Sequence, residues 1–438
     1  MTLLPRRALG ALLATPWVTP AAAQPRPSVH FLSWTAVLDS LRAQFAEFTR
    51  ASGVSVRHQH VPWISYRPAL LAQLGATAAA DVVLMSDAWL PEVAGSGLLA
   101  PLDAMPALTR FNAEAAPACT EAMRFGGQQY GLAYYTDSIG FFYHRGLLQA
   151  AGIATPPTSW EEVMDDCRRI RSRGIARFPM GLPLAGDPWL IELLSTLVFS
   201  HGGRFVDDAR VSVMAEPGRG IIPVLTFLRD MIHRHQALDP ASPGQDEVGV
   251  ARAFAEGRHA FALLPSYRLR FLNNPLTSDV AGQARLGMMP VGGAQHDPAT
   301  CGWVRFYAIS AAAGRDAGRL ARAGAFLSAF GGHDASGAYT MQRRLFVNDG
   351  LPFCTLPLLN DPQVSDVLVS DGESPEWRAL HLASARNKDV IAPWFGNWQG
   401  VTNEIWRAVA LDRLAPEAAA EMAHALWVQL CDACRQRP

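Results

Sequence analysis

Aromatic and acidic residues follow three short apolar runs in the first quarter of the chain. Trp34 ends the first run, Trp63 comes two residues after the second, and Asp87 comes two residues after the third. An indole ring offers a flat apolar face, and a carboxylate can accept two hydrogen bonds from one planar donor. Such residues could hold a ligand that has a flat apolar face and a rim of hydroxyl groups, if the fold brings them together.

The same residue types could instead perform acid–base hydrolysis, which needs two carboxyl groups at a fixed separation. Asp87, Asp137, Asp187 and Glu192 are available in principle. Motifs of other hydrolases are missing, because the sequence has neither a G-x-S-x-G nucleophile elbow nor an H-E-x-x-H helix. Hydrolysis stays an alternative to binding at this point.

Two His-x-His pairs resemble partial metal sites. His58 lies two residues before His60, and His233 lies two residues before His235. A zinc site needs three or four ligands, and neither pair has an acidic residue or a third histidine at a suitable spacing. We therefore expect no metal site. The sequence also has no G-x-x-x-x-G-K-[ST] loop, so we expect no bound ATP and no other cofactor.

The sequence contains six cysteines, whose pairing stays open because six cysteines allow fifteen arrangements. Cys431 and Cys434 form a C-x-x-C pair at the end of a predicted terminal helix. A redox or zinc motif would need a preceding strand or a second pair, and the sequence has neither. We expect structural or unpaired thiols.

Length and composition favour a globular protein with two domains. The chain has 438 residues, of which 49% are hydrophobic and 18% are charged, so each half can form a core. The net charge of -1 gives no basic surface for a polyanion, and we expect no nucleic-acid partner. Lysine occurs once, at Lys388, and we attach no function to this bias.

The first residues have the pattern of a secretory signal. An arginine pair at positions 6 and 7 precedes an apolar stretch from Ala8 to Val18, and three alanines precede Gln24. We predict that residues 1–23 are a signal peptide, cleaved on export by the Sec or the twin-arginine route to the periplasm or another extracytoplasmic space. No later segment is long and apolar enough to span a membrane, so we expect a soluble mature protein.

The three apolar runs alternate with helical patterns. Strands are predicted over Val29–Trp34, Val54–Val61 and Asp81–Met85, with helical spacing between them. This alternation indicates a parallel sheet with helices on its faces, and ligands of such sheets bind at the carboxyl ends of the strands. A second α/β region begins after Tyr135, where a capping box at Ser159–Glu162 opens a helix. The predicted fold class is therefore α/β with two lobes.

The later segments follow the same periodicities. No repeat, low-complexity tract or long linker separates the two regions, so we expect lobes joined by short crossings. The further predicted elements are a helix through Leu225 and Ile232, strands over Phe261–Leu264, Leu286–Pro290 and Val304–Ser310, and helices over Leu320–Phe330, Thr402–Leu411 and Pro416–Cys434.

Five segments resemble signatures of the family 1 extracellular solute-binding proteins, which include the maltose-type sugar binders. Each signature is short, but all five occur in the family's order, and the likeness covers nearly all of the predicted mature chain. The most recognisable signature is G-Q-Q-Y-G-L-A-Y-Y-T-D with its continuation. The segments are Asp81–Asp103, Gly127–Asp137, Phe142–Glu162, Gly257–Leu264 and Gly302–Ser310.

The resemblance implies two lobes around a cleft, each a mostly parallel sheet flanked by helices. The first lobe would comprise residues 24–134 and 288–346, and the second would comprise 135–287 and 347–438. Three hinge crossings would lie near 133–137, 284–291 and 345–352. The lobes would close over a carbohydrate and deliver it to the membrane permease of an ABC importer. The protein would then be a monomer with a small-molecule ligand and no enzymatic activity.

The resemblance also implies which residues bind the ligand. Trp189 stands where maltose-type binders place a stacking aromatic residue, and Trp394–Trp398 occupies a late segment that usually donates another. Met85 departs from the pattern, because those binders often carry an aromatic residue there, so we expect a different sugar pose near that lobe. Trp160 is instead predicted to pack within a helix. The predicted ligand-binding residues are Trp34, Trp63, Asp87, Tyr134, Asp137, Trp189, Tyr267, Trp303, Arg305, Trp394 and Trp398.

Two further functions stay open. The same fold could bind another polar solute, such as a polyol, a glycerol phosphate or a polyamine. A phosphate would require several converging arginines or helix N-termini, and a polyamine would require more acidic residues. The second alternative is a secreted carbohydrate hydrolase, which product formation would distinguish from a binder.

Overall fold

The computed structural model describes residues 27–76, 79–186, 189–293, 295–334 and 336–431, and the predicted signal peptide lies outside these ranges. The strands are β1 (Ser28–Trp34), β2 (Ser55–Val61), β3 (Val82–Ser86), β4 (Arg124–Phe125), β5 (Gln128–Gln129), β6 (Leu132–His144), β7 (Met180–Gly181), β8 (Phe261–Pro265), β9 (Ala284–Gly287), β10 (Thr300–Ile309) and β11 (Ala385–Asn387).

The helices are α1 (Leu38–Ser52), α2 (Trp63–Leu74), α3 (Leu90–Gly95), α4 (Pro106–Glu114), α5 (Pro117–Ala122), α6 (Arg145–Ala150), α7 (Trp160–Ser172), α8 (Trp189–Ser200), α9 (Ile222–His233), α10 (Glu247–Ala255), α11 (Arg268–Asn273), α12 (Ala311–Gly314), α13 (Ala317–Gly331), α14 (Thr340–Asp349), α15 (Pro362–Asp371), α16 (Pro375–Ser384), α17 (Phe395–Ala410) and α18 (Pro416–Leu430). Three short 3-10 turns cover Asp87–Trp89, Ser242–Gly244 and Leu356–Asn360. Within the described ranges, no helix is long and apolar enough to cross a bilayer.

The first three strands form the parallel part of the sheet that the sequence predicts. β1 pairs in parallel with both β2 and β3, so the carboxyl ends of these strands lie at one edge. Helix α1 ends at Gly53, whose φ of 72° is a left-handed conformation that glycine adopts without strain. The residues that follow the strand ends, Trp34, Trp63 and Asp87, are therefore placed along the same edge.

The sheet continues with antiparallel strands. Its order is β2-β1-β3-β10-β6-β8-β7, and β10 runs antiparallel to both β3 and β6. Since β6 leaves the first lobe and β10 returns to it, these neighbours must run in opposite directions. The α/β class is confirmed, and the sheet within it is mixed rather than mostly parallel.

Two large buried clusters define the lobes. The first cluster combines residues of β1 to β3 with Leu132–Tyr134 and a stretch from Val304 to Leu368. The second combines residues from Ile139 to Trp303 with residues from Val390 to Trp427, and a smaller cluster around Phe254 belongs to the same side. The chain thus crosses inside β6, inside β10 and after α15.

These crossings differ from the predicted lobe boundaries at the second and third positions. The packing places residues 289–303 with the second lobe and residues 353–368 with the first. All ten residues of β10 are buried, so the sequence pattern does not show where the strand passes from one core to the other. Helices α14 and α15 add Leu345 and Leu368 to the first core, so the chain does not leave that lobe at 345–352.

Candidate ligand-binding cleft

A cavity of ≈ 530 Å³ lies between the two lobes. The first lobe lines it with Trp63 and Arg67 of α2, Trp89 of the turn after β3, and Arg305 of β10. The second lobe lines it with Glu192 of α8 and with one face of α17, which contributes Phe395, Gly396, Gln399, Gly400, Asn403 and Glu404. The cavity lies where the carboxyl ends of the parallel strands meet the opposite lobe.

Two stacked indole rings form the aromatic wall of this cavity. The ring centroids of Trp63 and Trp89 lie 5.2 Å apart with an interplanar angle of 23°. Trp34 packs edge-on against Trp63, with centroids 5.1 Å apart. Tyr66 holds the start of α2 against the sheet, because its hydroxyl group lies 2.8 Å from the carbonyl oxygen of Leu84. Trp63 and Trp89 are only half-buried, so both keep surface for a ligand.

A buried ion pair fixes Arg305 beside the aromatic wall. Arg305 Nη1 donates to Asp87 Oδ1 over 2.9 Å, and both side chains are buried. The guanidinium carbon of Arg305 lies 5.4 Å from the ring centroid of Trp63. Asp87 also accepts from the backbone N–H groups of Ala88 and Val304, at 2.9 and 3.3 Å. Asp87 therefore orients Arg305, and Arg305 is the member of the pair that lines the larger cavity.

A second buried ion pair lies on the opposite side of the cavity, in the second lobe. Lys388 Nζ donates to Glu192 Oε1 over 3.2 Å, and both side chains are buried. Burial disfavours the ammonium group, but the carboxylates of Glu192 and Asp87 outweigh this effect and raise the pKa of Lys388 above its ordinary value. Glu192 Oε2 has no hydrogen-bond partner among the described residues, and Glu192 lines the cavity. A ligand hydroxyl group could satisfy this buried acceptor.

The two ion pairs separate the larger cavity from a second one of ≈ 250 Å³. Asp87 and Lys388 line the second cavity, whereas Arg305 and Glu192 line the first. Trp394 also lines the second cavity. Because the two ion pairs contain two carboxylates and two cations, the boundary they form between the cavities carries no net charge.

Helix α17 lines the cavity with one face and the core of the second lobe with the other. Phe395, Gln399 and Asn403 follow each other at a spacing of four residues, which keeps them on one face. Asn403 is buried, and its Oδ1 has no partner among the described residues, so it is a second acceptor without a donor. Trp398 lies on the core face, where its Nε1 donates to the carbonyl oxygen of Ala423 over 3.1 Å.

The predicted ligand-binding residues do not all meet at this cavity. Trp63 and Arg305 line the larger cavity, and Asp87 and Trp394 line the second. Asp137 and Trp303 line a small pocket of ≈ 20 Å³ beside the crossings. The remaining five line none of these three cavities: Trp34, Tyr134, Trp189, Tyr267 and Trp398.

Asp137 fastens the first crossing in this structure. Its Oδ1 accepts from the N–H of Ser138 at 2.8 Å and from the hydroxyl group of Ser266 at 2.5 Å. The N–H of Tyr267 lies 3.4 Å from Oδ2, so Tyr267 contributes through its backbone. Burial raises the pKa of Asp137 to about 6. These contacts tie β6 to the segment after β8.

Four of the predicted aromatic residues outside the cavities pack in or against the cores. Trp34 and Tyr134 belong to the core of the first lobe. Trp189 packs against the core of the second lobe, with its ring centroid 5.6 Å from that of Trp303. Trp398 turns inward because α17 begins at Phe395, seven residues before the predicted start at Thr402, and position 398 falls on the buried face.

Several lining residues were not among the predicted ones. Arg67 follows Trp63 by four residues, which is one helical turn, and pairs with Glu92 at 2.6 Å. The helical pattern of α17 could have placed Gln399 and Asn403 beside the buried face, because each comes directly after a buried residue, Trp398 or Thr402.

The histidines of the first pair contact neighbouring protein groups. His58 Nε2 lies 2.7 Å from the hydroxyl oxygen of Ser33, and burial lowers the pKa of His58 to about 4. His60 Nδ1 lies 3.0 Å from the hydroxyl oxygen of Thr35. No group of three potential metal ligands occurs in the part of the chain that the structure describes.

The fold and the cleft define a two-lobed solute-binding protein. The chain belongs to the bacterial extracellular solute-binding protein family, whose sequence profile matches residues 33–336. Over 169 residues, 38% of this chain, it is 25% identical to a binding protein of Brucella abortus and to one of Brucella suis. The match spans 40% of the length of these curated relatives.

Solved structures of the same fold cover nearly the whole chain. Maltose-bound MalE3 of T. maritima has a TM-score of 0.78 at 18% identity, over 92% of this chain and 100% of that one. The GacH receptor of Streptomyces glaucescens, solved unliganded and with acarbose, has a TM-score of 0.76 at 19% identity, over 93% and 99%. A ribitol-bound ABC transporter solute-binding protein from Agrobacterium radiobacter has a TM-score of 0.72 at 18% identity, over 92% and 99%. These likenesses establish the fold.

Proposed function

We propose that this protein captures a carbohydrate between its lobes and delivers it, as a monomer, to the permease of an ABC importer. The observation that carries the proposal is the composition of the inter-lobe cavity. Its wall offers stacked indole rings at Trp63 and Trp89 and two acceptors without donors, at Glu192 and Asn403. A sugar matches this wall, because it has apolar C–H faces and hydroxyl donors at its rim.

The charge balance of the cavity favours a neutral ligand. Each of its four charged lining residues has an ion-pair partner, in the pairs Arg67–Glu92, Arg305–Asp87, Glu192–Lys388 and Glu404–Arg407. A phosphate ligand would need uncompensated cations, and a polyamine would need uncompensated carboxylates. The bound ligands of similar structures are maltose, acarbose and ribitol, which supports a polyhydroxylated solute here.

The same ion pairs argue against hydrolysis. A glycosidase needs two carboxyl groups that flank the same glycosidic bond. Asp87 and Glu192 each use a carboxylate oxygen in an ion pair within the protein, and they line different cavities. We therefore propose binding without turnover.

The test is a ligand screen on the purified protein lacking residues 1–23. Thermal shift against sugars, polyols, a glycerol phosphate and polyamines should give its largest increase with a sugar, and calorimetry should give one site per chain. Chromatography after long incubation should show unchanged ligand. Stabilisation by the phosphate or the polyamine alone would refute the carbohydrate, and a product whose formation stops in Asp87→Asn would refute the binder.

The location is a separate proposal. We propose that the chain is exported and that the mature form begins near Gln24, as the N-terminal pattern predicts. Mass spectrometry of the protein recovered from the cell envelope should give the mass of residues 24–438. An intact Met1 or a lipid adduct would contradict this form.

A further inference from the structure

Two free thiols lie side by side in the core of the first lobe. Cys119 and Cys354 are both free and buried in the same core cluster. The neighbouring Cys354 thiol lowers the pKa of Cys119, and the neighbouring Cys119 thiol raises the pKa of Cys354. The other two free thiols of the described residues, Cys167 and Cys301, belong to the core of the second lobe.

The backbone brings the two cysteines together. Ala115 and Thr355 form an antiparallel bridge, and the N–H of Ala116 donates to the carbonyl oxygen of Cys354 over 2.9 Å. Helix α5 begins directly after this contact, and the N–H of Cys119 donates to the carbonyl oxygen of Ala116 over 2.9 Å. Cys354 therefore lies against Ala116, and Cys119 follows Ala116 by three residues, a spacing that brings side chains within about 5–6 Å of each other along one turn of a helix. Closing the bond needs rotation of the two side chains and an adjustment of this one turn.

The pair lies beside the first two crossings. Cys119 lines the same small pocket as Thr136, which lies at the first crossing in β6. The hydroxyl group of Thr136 donates to the carbonyl oxygen of Trp303, at the second crossing in β10, over 3.0 Å. The N–H of Thr136 donates to the carbonyl oxygen of Pro352, two residues before Cys354, over 3.2 Å.

We infer that Cys119 and Cys354 form a disulfide in the exported protein, which joins two distant parts of the chain beside the hinge. The inference goes beyond ligand capture and rests on the proposed export, because oxidising compartments permit disulfides. The oxidant is a disulfide of the cell envelope, either in a protein or in a small molecule.

The reaction is two thiol–disulfide exchanges. The thiolate of Cys119 attacks one sulfur of the oxidant, breaks its S–S bond and forms a mixed disulfide. The thiolate of Cys354 then attacks the Cys119 sulfur of that mixed disulfide and releases the second oxidant sulfur. The two protons lost by the cysteines end on the two sulfurs of the oxidant, which leaves as a dithiol or two thiols. Since both cysteines are buried in the folded lobe, the exchange occurs while that lobe folds.

Peptide mapping tests the bond directly. The full chain is exported by its own leader, denatured with iodoacetamide and without reductant, and digested with trypsin. Cleavage at arginine should give peptides 111–124 and 345–378, which carry Cys119 and Cys354. We expect these peptides to be linked, with the link lost on reduction, while Cys167 and Cys301 are alkylated. Alkylation of both Cys119 and Cys354, or a link from either to a different cysteine, would overturn the inference.

Thermal unfolding gives a second test that is independent of peptide recovery. The variants carry Cys431→Ala and Cys434→Ala, because Cys431 is itself disulfide-bonded. Reductant should lower the melting temperature by roughly 5 °C in this background and in a version with Cys167→Ala, but not in one with Cys119→Ala. An equal decrease in the Cys119→Ala version, or no decrease in any version, would contradict the bond. Ligand affinity measured in the same samples keeps this result separate from the proposed function.

Discussion

Arg305 and Glu192 line the larger cavity from opposite lobes, and each is held by a buried partner of opposite charge. The partners, Asp87 and Lys388, line the second cavity instead. Position after a strand end predicted Asp87 for the cleft, and Arg305 is among the residues that the family resemblance implies. Neither the position nor the resemblance could show which member of the pair faces the larger cavity, because that depends on how β10 lies beside β3. The single lysine of the chain gave no signal at all, since its role depends on burial beside Glu192.

Trp63→Ala tests the aromatic wall. Loss of a stacking surface of this kind should cost about 1–3 kcal/mol of binding free energy, so affinity for the screened sugar should fall roughly 10- to 100-fold. The melting temperature should change little, because Trp63 is only half-buried. Calorimetry and thermal unfolding of the same samples measure both quantities.

Trp160→Ala is the matched control for this change. Trp160 is fully buried in the second lobe, and its Nε1 donates to the hydroxyl group of Ser200 over 2.9 Å. Its removal should lower the melting temperature and leave affinity unchanged. Trp189→Ala should behave like Trp160→Ala, since Trp189 packs on that core and lies outside the cavity. If only Trp189→Ala caused a large loss of affinity, Trp189 would be the stacking residue, as the sequence predicts, and Trp63 would not.

Asp137→Asn tests the buried carboxyl group at the first crossing. Burial raises the pKa of Asp137 from 3.8 to about 6, so the folded state favours the protonated form. The unfolded chain binds fewer protons than the folded chain between these values, and Asp137 therefore lowers the free energy of unfolding as pH rises from about 4 to 6. The variant escapes this loss, so its stability relative to the natural protein should rise by about 2–3 kcal/mol between pH 4 and pH 7. Urea unfolding at several pH values measures the difference.

Asp39→Asn is the control for the titration, because the Asp39 side chain is 99% exposed. Its stability relative to the natural protein should change far less with pH. If Asp137→Asn and Asp39→Asn follow the same pH dependence, burial of Asp137 does not govern its titration.

At the level of elements, the sequence predicts local features well. The capping box of α7 is present, with the hydroxyl group of Ser159 accepting from the N–H of Glu162 at 3.2 Å. The three parallel strands and the end of α1 at Gly53 also match their patterns. These features depend on residues close in sequence. The crossings in β6 and β10 depend instead on which core a buried strand meets, and an apolar strand carries no such information.

Helix α17 offers a test at the scale of an element, because Gly400 lies on the face that lines the cavity. A Cβ atom added at Gly400 would have no heavy atom within 4 Å. Gly400→Trp should therefore fill the cavity and reduce sugar affinity at least about 10-fold while the helix still forms. Gly400→Ala should keep the affinity and raise the free energy of unfolding by about 0.5–1 kcal/mol, since glycine is a poor helix former. Calorimetry and urea unfolding of both variants provide the comparison, and unchanged affinity in Gly400→Trp would place the ligand elsewhere.

On the scale of the whole molecule, charged side chains lie at the boundary between the two lobes. A Cβ atom added at Gly396 of the second lobe would lie 3.5 Å from Arg67 Nη2 of the first. Lys388 of the second lobe is also stabilised by Asp87 of the first, as the raised pKa of Lys388 indicates. The buried charges of the two lobes therefore interact most strongly when the lobes are close together and water is excluded from between them. Separation of the lobes would expose these charges to water and weaken the attraction between Lys388 and Asp87.

Lys388→Met tests this coupling. The substitution leaves the carboxylate of Glu192 buried without its cation, and loss of one partner of a buried ion pair costs about 3–5 kcal/mol. We expect a lower free energy of unfolding and, because hydration relieves an unpaired carboxylate, a shift towards separated lobes. Small-angle scattering should then give a larger radius of gyration than the natural protein has under the same conditions. Lys388→Met combined with Glu192→Gln removes both charges and should recover most of the lost stability and compactness. If the double variant is as expanded and unstable as Lys388→Met, lost packing of the lysine chain explains the defect, and the ion pairs do not set the position of the lobes.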